Sequence, residues 1–277
     1  MNETNVSPLV ALVDNLARHA TISNEDRAGL LELPYATRRF EAGSYLVREG
    51  DTPEHCRMLI SGVACRHKIS GEGLRQIVSI HVPGDLIDLQ QLYIETADHN
   101  VQTLTHCVVV SIPRVELREF AADRPSVAQA IVAIVLFELA ISREWLLNIG
   151  RRDARTRIAH FLCELAARLG RTGATSGQPF ELPMTQEQLG DALGLTVVHI
   201  NRMLKTLVRD GLIEHNKKGV TIPDWESLVE IADFNARYLH LDTRPPVSDE
   251  VVKLIGDRYR ADTLSRCVDH RWTVQIY

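Results

Sequence analysis

The 277-residue chain is short of the features that frame secreted, membrane-embedded and catalytic proteins. Its five cysteines, at 56, 65, 107, 163 and 267, are odd in number and never spaced as CxxC. That excludes a conventional disulfide framework and fits a reduced, cytoplasmic protein. The first twenty residues, MNETNVSPLVALVDNLARHA, have no basic patch followed by an apolar core, so no signal peptide is expected. The most apolar run, Ala130 to Phe137, is too short to span a bilayer and is followed by Glu138, so no membrane is expected as a partner. No Ser/His/Asp spacing, phosphate loop or metal-ligand triplet stands in a recognisable motif, and the chain does not read as an enzyme. What is present is ordinary globular material, 45% hydrophobic, enough for one large domain or two modest ones.

The net charge of −5 argues against a protein that coats nucleic acid, but the charge is segregated. Residues 1–150 carry 13 basic and 19 acidic side chains, residues 151–223 carry 11 and 7, and residues 224–277 carry 7 and 10. The middle segment alone is positive, and there a polyanion would be met.

From Phe40 to Pro113 short alternating runs are punctuated by Gly43, Gly50, Gly62, Gly71, Gly73 and Gly84. This predicts an antiparallel all-β sandwich or roll (jelly roll). Residues 6–31 before it have helical spacing, with Leu9, Leu12, Val13 and Leu16 on one side. Ser126 to Ile149 has almost no polar residue for three turns, so that helix must be covered nearly all round. One sheet covers one side; a second copy of the helix is the simplest cover for the other. Ile131, Ile134, Val135, Glu138, Ile141 and Trp145 are the expected dimer contacts. The fold class is therefore α+β, divided into a β-rich segment (1–122), a long apolar helix expected to pair with its copy (123–150), a mostly helical segment (151–240) and an extension (241–277).

Within 151–240, RTGATSGQPF reads as a flexible loop, and TQEQLGDAL and TVVHINRMLKTLVRDG as two helices joined at Gly194. LIEHNKKGVTIPD follows as a hairpin tipped by Lys217 and Lys218, and Asp224 opens one more helix. This is the layout of a winged helix-turn-helix. Thr185 and Gln188 form a capping-box pattern. Leu189, Leu193, Ile200, Leu204 and Leu207 supply a buried stripe, which leaves Val198, His199, Asn201, Arg202 and Lys205 outward. An arginine can present two donors to guanine, and an asparagine can pair with adenine. Lys205, Lys217 and Lys218 suit phosphates, which position without reading sequence. Thr185 and Gln186, at the start of the first helix, complete the expected DNA-binding set.

The turn residues Phe40, Gly43, Leu46, Glu49, Gly50 and Asp51, then Leu59 to Gly62, then Pro83 to Asp85, resemble the signature of cyclic-nucleotide-binding β-rolls. With the apolar helix and the winged helix-turn-helix, the chain resembles Crp/Fnr-family bacterial transcription regulators over residues ~10–240, nearer the Fnr side. The resemblance implies a cytoplasmic homodimer that binds near-palindromic double-stranded DNA, responds to an effector in the roll, and can contact RNA polymerase. It also implies an effector pocket near Leu86, Asp88, Gln91 and His99. The alternative is a ligand module that controls a partner protein without reading DNA; the positive segment and the basic hairpin argue against it.

The sequence departs from the family at the effector. The resemblance implies Gly-Glu-Leu and Arg-Ser/Thr-Ala stretches for cyclic AMP, where this chain has Gly84 to Leu92 without that glutamate and Ala97-Asp-His-Asn-Val101. No Lys or Arg occurs between Arg75 and Arg114, and a buried phosphate needs a cation. Cyclic AMP in its usual mode is not expected. An iron–sulfur cluster is not expected either, because no cysteine precedes Cys56. Haem stays open, since His81, His99 and His106, with Cys107, could approach one another if their strands pair. The extension continues past Arg244-Pro-Pro with helical character from Ser248 to about Cys267 and strand-like alternation at Trp272 to Tyr277. It reads as a packed tail or a regulatory arm. At the reading helix, the resemblance implies a glutamate where Val198 stands, so the half-site opposite Val198 is expected to be unusual.

Overall fold

The computed structural model describes residues 7–170, 182–216 and 219–241. The expected loop at 171–180, Lys217 and Lys218 at the hairpin tip, and the tail beyond 241 lie outside the described residues.

The N-terminal stretch with helical spacing forms two helices, α1 (Leu9–His19) and α2 (Asn24–Leu31). The Ser23 hydroxyl caps α2 by accepting from the Asp26 amide at 3.0 Å, which stops the chain from continuing as one helix. The roll follows, built from β1 (Ala36–Phe40), β2 (Tyr45–Val47), β3 (His55–Ser61), β4 (Ala64–Ile69), β5 (Arg75–His81), β6 (Asn100–Thr103) and β7 (Cys107–Pro113). Two antiparallel sheets, ordered β1-β7-β3 and β2-β6-β4-β5, face one another. Leu46, Val47, Leu59, Ala64, Val101, Cys107 and Val109 form a core between them. The β3–β4 turn requires glycine: Gly62 has φ +87°, and a Cβ there would run into the His106 carbonyl and the Cys107 sulfur.

A short helix α3 (Arg114–Ala122) leads into α4 (Pro125–Arg151), with Pro125 in the first turn, where no amide donor is needed. By length and composition α4 is apolar enough to cross a membrane, a stronger signal than Ala130 to Phe137 alone suggests. One flank of it lies along α1: Val127, Ala130, Ile131 and Ile134 join Leu9, Leu12 and Leu16 in a second core. The other flank is bare, with Val135, Leu136, Leu139, Leu146 and Leu147 exposed.

This corrects the expected dimer contacts. Ile131, Ile134 and Trp145 are buried within the protomer, Ile141 is partly buried against the same core as Trp145, and Glu138 reaches Arg66 on β4. Of the six, Val135 alone is exposed. A helix apolar on every side has no polar face to mark its orientation, so spacing alone does not say which stripe is left exposed.

α5 (Ala154–Leu169), α6 (Gln186–Leu193), α7 (Val197–Arg209), β8 (Glu214–Asn216), β9 (Gly219–Thr221) and α8 (Trp225–Ala232) complete the described fold, followed by a 3₁₀ turn at Ala236–Leu239. A third core joins α5 to α7 and α8 through Phe161, Leu162, Ile200, Leu204, Leu207 and Leu228. The antiparallel roll, long helix and helix-turn-helix thus stand in the expected order.

Candidate nucleic-acid interface and the cleft behind it

Local signals seat the helix pair. Gln188 Nα–H donates to Thr185 Oγ1 at 3.2 Å and Thr185 Nα–H donates to Gln188 Oε1 at 2.9 Å, the reciprocal cap that the sequence predicts. Gly194 ends α6 at φ +64° in the left-handed region, which turns the chain toward α7. Thr196 then caps α7, its hydroxyl accepting from the His199 amide at 3.3 Å. This threonine is absent from the expected set, although Thr before an amphipathic run is a recognised signal. Leu189, Leu193, Ile200, Leu204 and Leu207 are all buried, as the spacing predicts. Arg157 of α5 fastens the turn from behind, donating to the carbonyls of Leu193 and Ile149 at 2.7 Å.

The opposite face of α7 is open. Val198 is 79% exposed, Val197, Arg202 and Lys205 are exposed, and His199 and Asn201 are half-buried. Asn201 donates from Nδ2 to Gln186 Oε1 at 3.2 Å, across the turn between the two helices. Arg202 Nη2 lies 3.0 Å from His199 Nε2. Thr185 is exposed, with its hydroxyl and amide used in the cap. No acidic residue occurs between Asp191 and Asp210, so the face presents donors with no carboxylate of its own to compete for a phosphate or a base. The wing strands β8 and β9 pair through Glu214 and Thr221.

Behind this face, a cleft of about 60 Å³ lies between the roll, α1, α4 and α5. Arg168 of α5 donates to Asp85 at 2.8 Å and lies 3.6 Å from Glu164. Arg66 of β4 lies 3.6 Å from Glu138 of α4 and donates to the Ile87 carbonyl at 2.7 Å. Glu164 also accepts from Trp145 Nε1 at 3.0 Å and from the Tyr238 hydroxyl at 2.8 Å. Burial pushes the Glu138 and Glu164 carboxyls up, against the pull of Arg66 and Arg168. Arg75 of β5 ion-pairs with Asp191 of α6 at 2.7 Å, which fixes the roll to the first helix of the pair.

The expected effector residues are not gathered here. Leu86 lines the cleft; Asp88, Gln91 and His99 do not. Asp88 is buried against Arg57 at 2.8 Å, and His99 is buried between Asp98, at 2.7 Å, and Gln90, at 3.2 Å. The stretch poor in basic residues is nonetheless met by arginines from other strands, Arg57 and Arg66, which sequence distance conceals. Both are already committed to Asp88 and Glu138. The histidines divide as well: His106 is at the surface beside Glu41, while His81 and His99 are buried. Burial pushes the thiols of Cys56, Cys65 and Cys163 up to about 12, which leaves them unreactive.

Two family models match the chain: a Crp-like helix-turn-helix domain over residues 156–231 and a cyclic nucleotide-binding domain over residues 37–124. The chain is 30% identical over 217 residues to the transcriptional activator protein FnrL of Cereibacter sphaeroides, covering 77% of this chain and 86% of that one. It is 31% identical over 197 residues to electron transport regulator A of Shewanella oneidensis, covering 71% and 78%. Among solved structures it is similar to FixK2 from Bradyrhizobium japonicum, with a TM-score of 0.67 at 25% identity over 72% of this chain and 98% of that one.

Proposed function

The chain belongs to the Crp/Fnr family of helix-turn-helix transcription regulators, and from that premise we propose that it acts as a cytoplasmic homodimer on a near-palindromic operator. The observation that carries the reading is the open face of α7, where Arg202 and Lys205 stand exposed on a helix seated by its buried leucines. In this reading Arg202 and Asn201 contact base edges, Val198 offers an apolar surface suited to the thymine methyl, and Thr185, Gln186, His199 and Lys205 support them. Lys217 and Lys218, outside the described residues, contact phosphate. Two copies joined through Val135, Leu136, Leu139, Leu146 and Leu147 of α4 cover the bare flank and set the reading helices about 34–36 Å apart. The protein has no catalytic role or membrane partner in this account, and RNA polymerase is its further contact.

The roll does not take cyclic AMP in the usual mode. A cleft of about 60 Å³ has room for a few waters, and its two arginines face the protein's own carboxylates. A cyclic nucleotide needs several hundred Å³ and a free cation.

Selection of bound duplexes from a random library tests the reading. A two-fold repeated consensus is expected, without opposite Val198 the C·G pair whose cytosine a glutamate at that position would read. Arg202→Ala should then lower discrimination at one guanine per half-site by roughly 1–3 kcal/mol. An unchanged ratio of specific to random binding in that variant would refute the assignment.

A further inference from the structure

We propose that His199 is a positioning residue that sets the Arg202 guanidinium for base contact, in place of direct reading by the imidazole. The proposal rests on the reading of α7 as the DNA-facing helix. Arg202 Nη2 and His199 Nε2 are 3.0 Å apart, one helical turn from each other. A guanidinium has only donors, so the contact requires a lone pair on Nε2 and places the ring proton on Nδ1. The ring is thus a neutral acceptor. It holds one N–H of the fork and leaves the remaining donors for a guanine edge.

No other group on this face does the same work. Val198, next in the chain and 79% exposed, has no acceptor. The acidic residues nearest in sequence are Asp191 and Asp210, and Asp191 is held by Arg75 and Asp210 by Arg155 at 2.6 Å. A carboxylate beside Arg202 would neutralise it and repel phosphate; a neutral imidazole fixes its direction and leaves the full positive charge. An exposed arginine otherwise loses rotamer freedom when it binds, and a side chain already held loses less. The half-buried state of His199 fits a residue that works sideways along the helix, beneath the tip of Arg202.

The test measures affinity of the full-length protein for the selected operator, for operators altered at each position, and for random duplex. His199→Ala should lower the specific-to-random ratio roughly 5-fold, part of what a bidentate arginine contact supplies. Random-duplex affinity should stay within about twofold, because the positive charge is unchanged. His199→Gln, which keeps an acceptor at similar reach, should restore most of the ratio. In an Arg202→Ala background, His199→Ala should have no further effect. A full ratio in His199→Ala, with Arg202→Ala impaired, overturns the proposal and leaves the DNA-facing reading standing. A new loss at a different base pair in the double variant also overturns it, since His199 would then read a base itself. An unchanged ratio in Arg202→Ala overturns both.

Discussion

The cleft between roll and helices and the outer face of α7 are built from the same side chains, arginine and histidine, treated in opposite ways. In the cleft, Arg168 is 8% exposed and has two carboxylates around it, at 2.8 Å and 3.6 Å. On α7, Arg202 is exposed and its side-chain partner is the His199 imidazole. An arginine surrounded by its own carboxylates has no charge left for a ligand; it joins elements that would otherwise separate. An arginine beside a neutral acceptor is oriented but keeps its charge for a polyanion. Arg168 and Arg202 thus differ in their side-chain partners, and in the proposed reading that difference separates a joining arginine from one left for DNA.

The comparison breaks most readily at Arg168. Arg168→Met leaves Asp85 and Glu164 without their cation inside the protein, and should lower unfolding free energy by about 3–5 kcal/mol. Urea denaturation measures the loss, and the specific-to-random DNA ratio of the folded fraction should be unchanged. A loss under about 1 kcal/mol, typical of an exposed ion pair, would show that the cleft is solvated and that the contrast with α7 is false.

How much of this is legible in the sequence follows from how local each signal is. The capping box at Thr185 and Gln188 and the stripe Leu189, Leu193, Ile200, Leu204 and Leu207 are complete within a few turns, so residue spacing alone locates the helix pair. The punctuated strands mark the roll for the same reason. The cleft is not legible, because Arg66, Arg168 and Glu138 come from β4, α5 and α4 and Asp85 from the turn after β5, and no spacing rule brings them together. For the same reason the surroundings of Asp88 are not legible, since arginines 22 and 31 residues away in sequence, Arg66 and Arg57, supply the charges around it. The exposed stripe of α4 is not legible for another reason: α4 is apolar all round, and only its contact with α1 decides which flank is left bare.

Two histidines sharpen the comparison. His199 is half-buried with the Arg202 guanidinium beside it, whereas His81 is buried in the cleft, and its Nε2 has no hydrogen-bond partner among the described residues. Burial holds the His81 imidazole well below its usual 6.5, and Arg66, Arg168 and His99 push the same way. Its folded-state value is depressed, so as pH falls below 6.5 the unfolded chain takes up the proton first and stability is lost. His81→Leu should remove a slope approaching about 1.4 kcal/mol per pH unit from the acid side of the stability profile. Above pH 7 the slopes of variant and parent should coincide. Parallel profiles below pH 6 would mean that the buried ring already exchanges with solvent.

The smallest effect lies where the two regimes meet. Thr196 belongs to the scaffold, because its hydroxyl satisfies an amide at the start of α7; yet that amide is the one on His199. Thr196→Ala should lower unfolding free energy by about 1 kcal/mol, and Thr196→Gly by only a few tenths, as for other N-caps. If the reading face depends on a rigid first turn, the alanine variant should also lose a modest part of the specific-to-random DNA ratio, in proportion to its loss of helix stability. Stability that falls while the ratio holds would separate the two roles. The cap would then be scaffold alone, and the orientation of Arg202 would rest on the His199 side chain without help from the backbone beneath it.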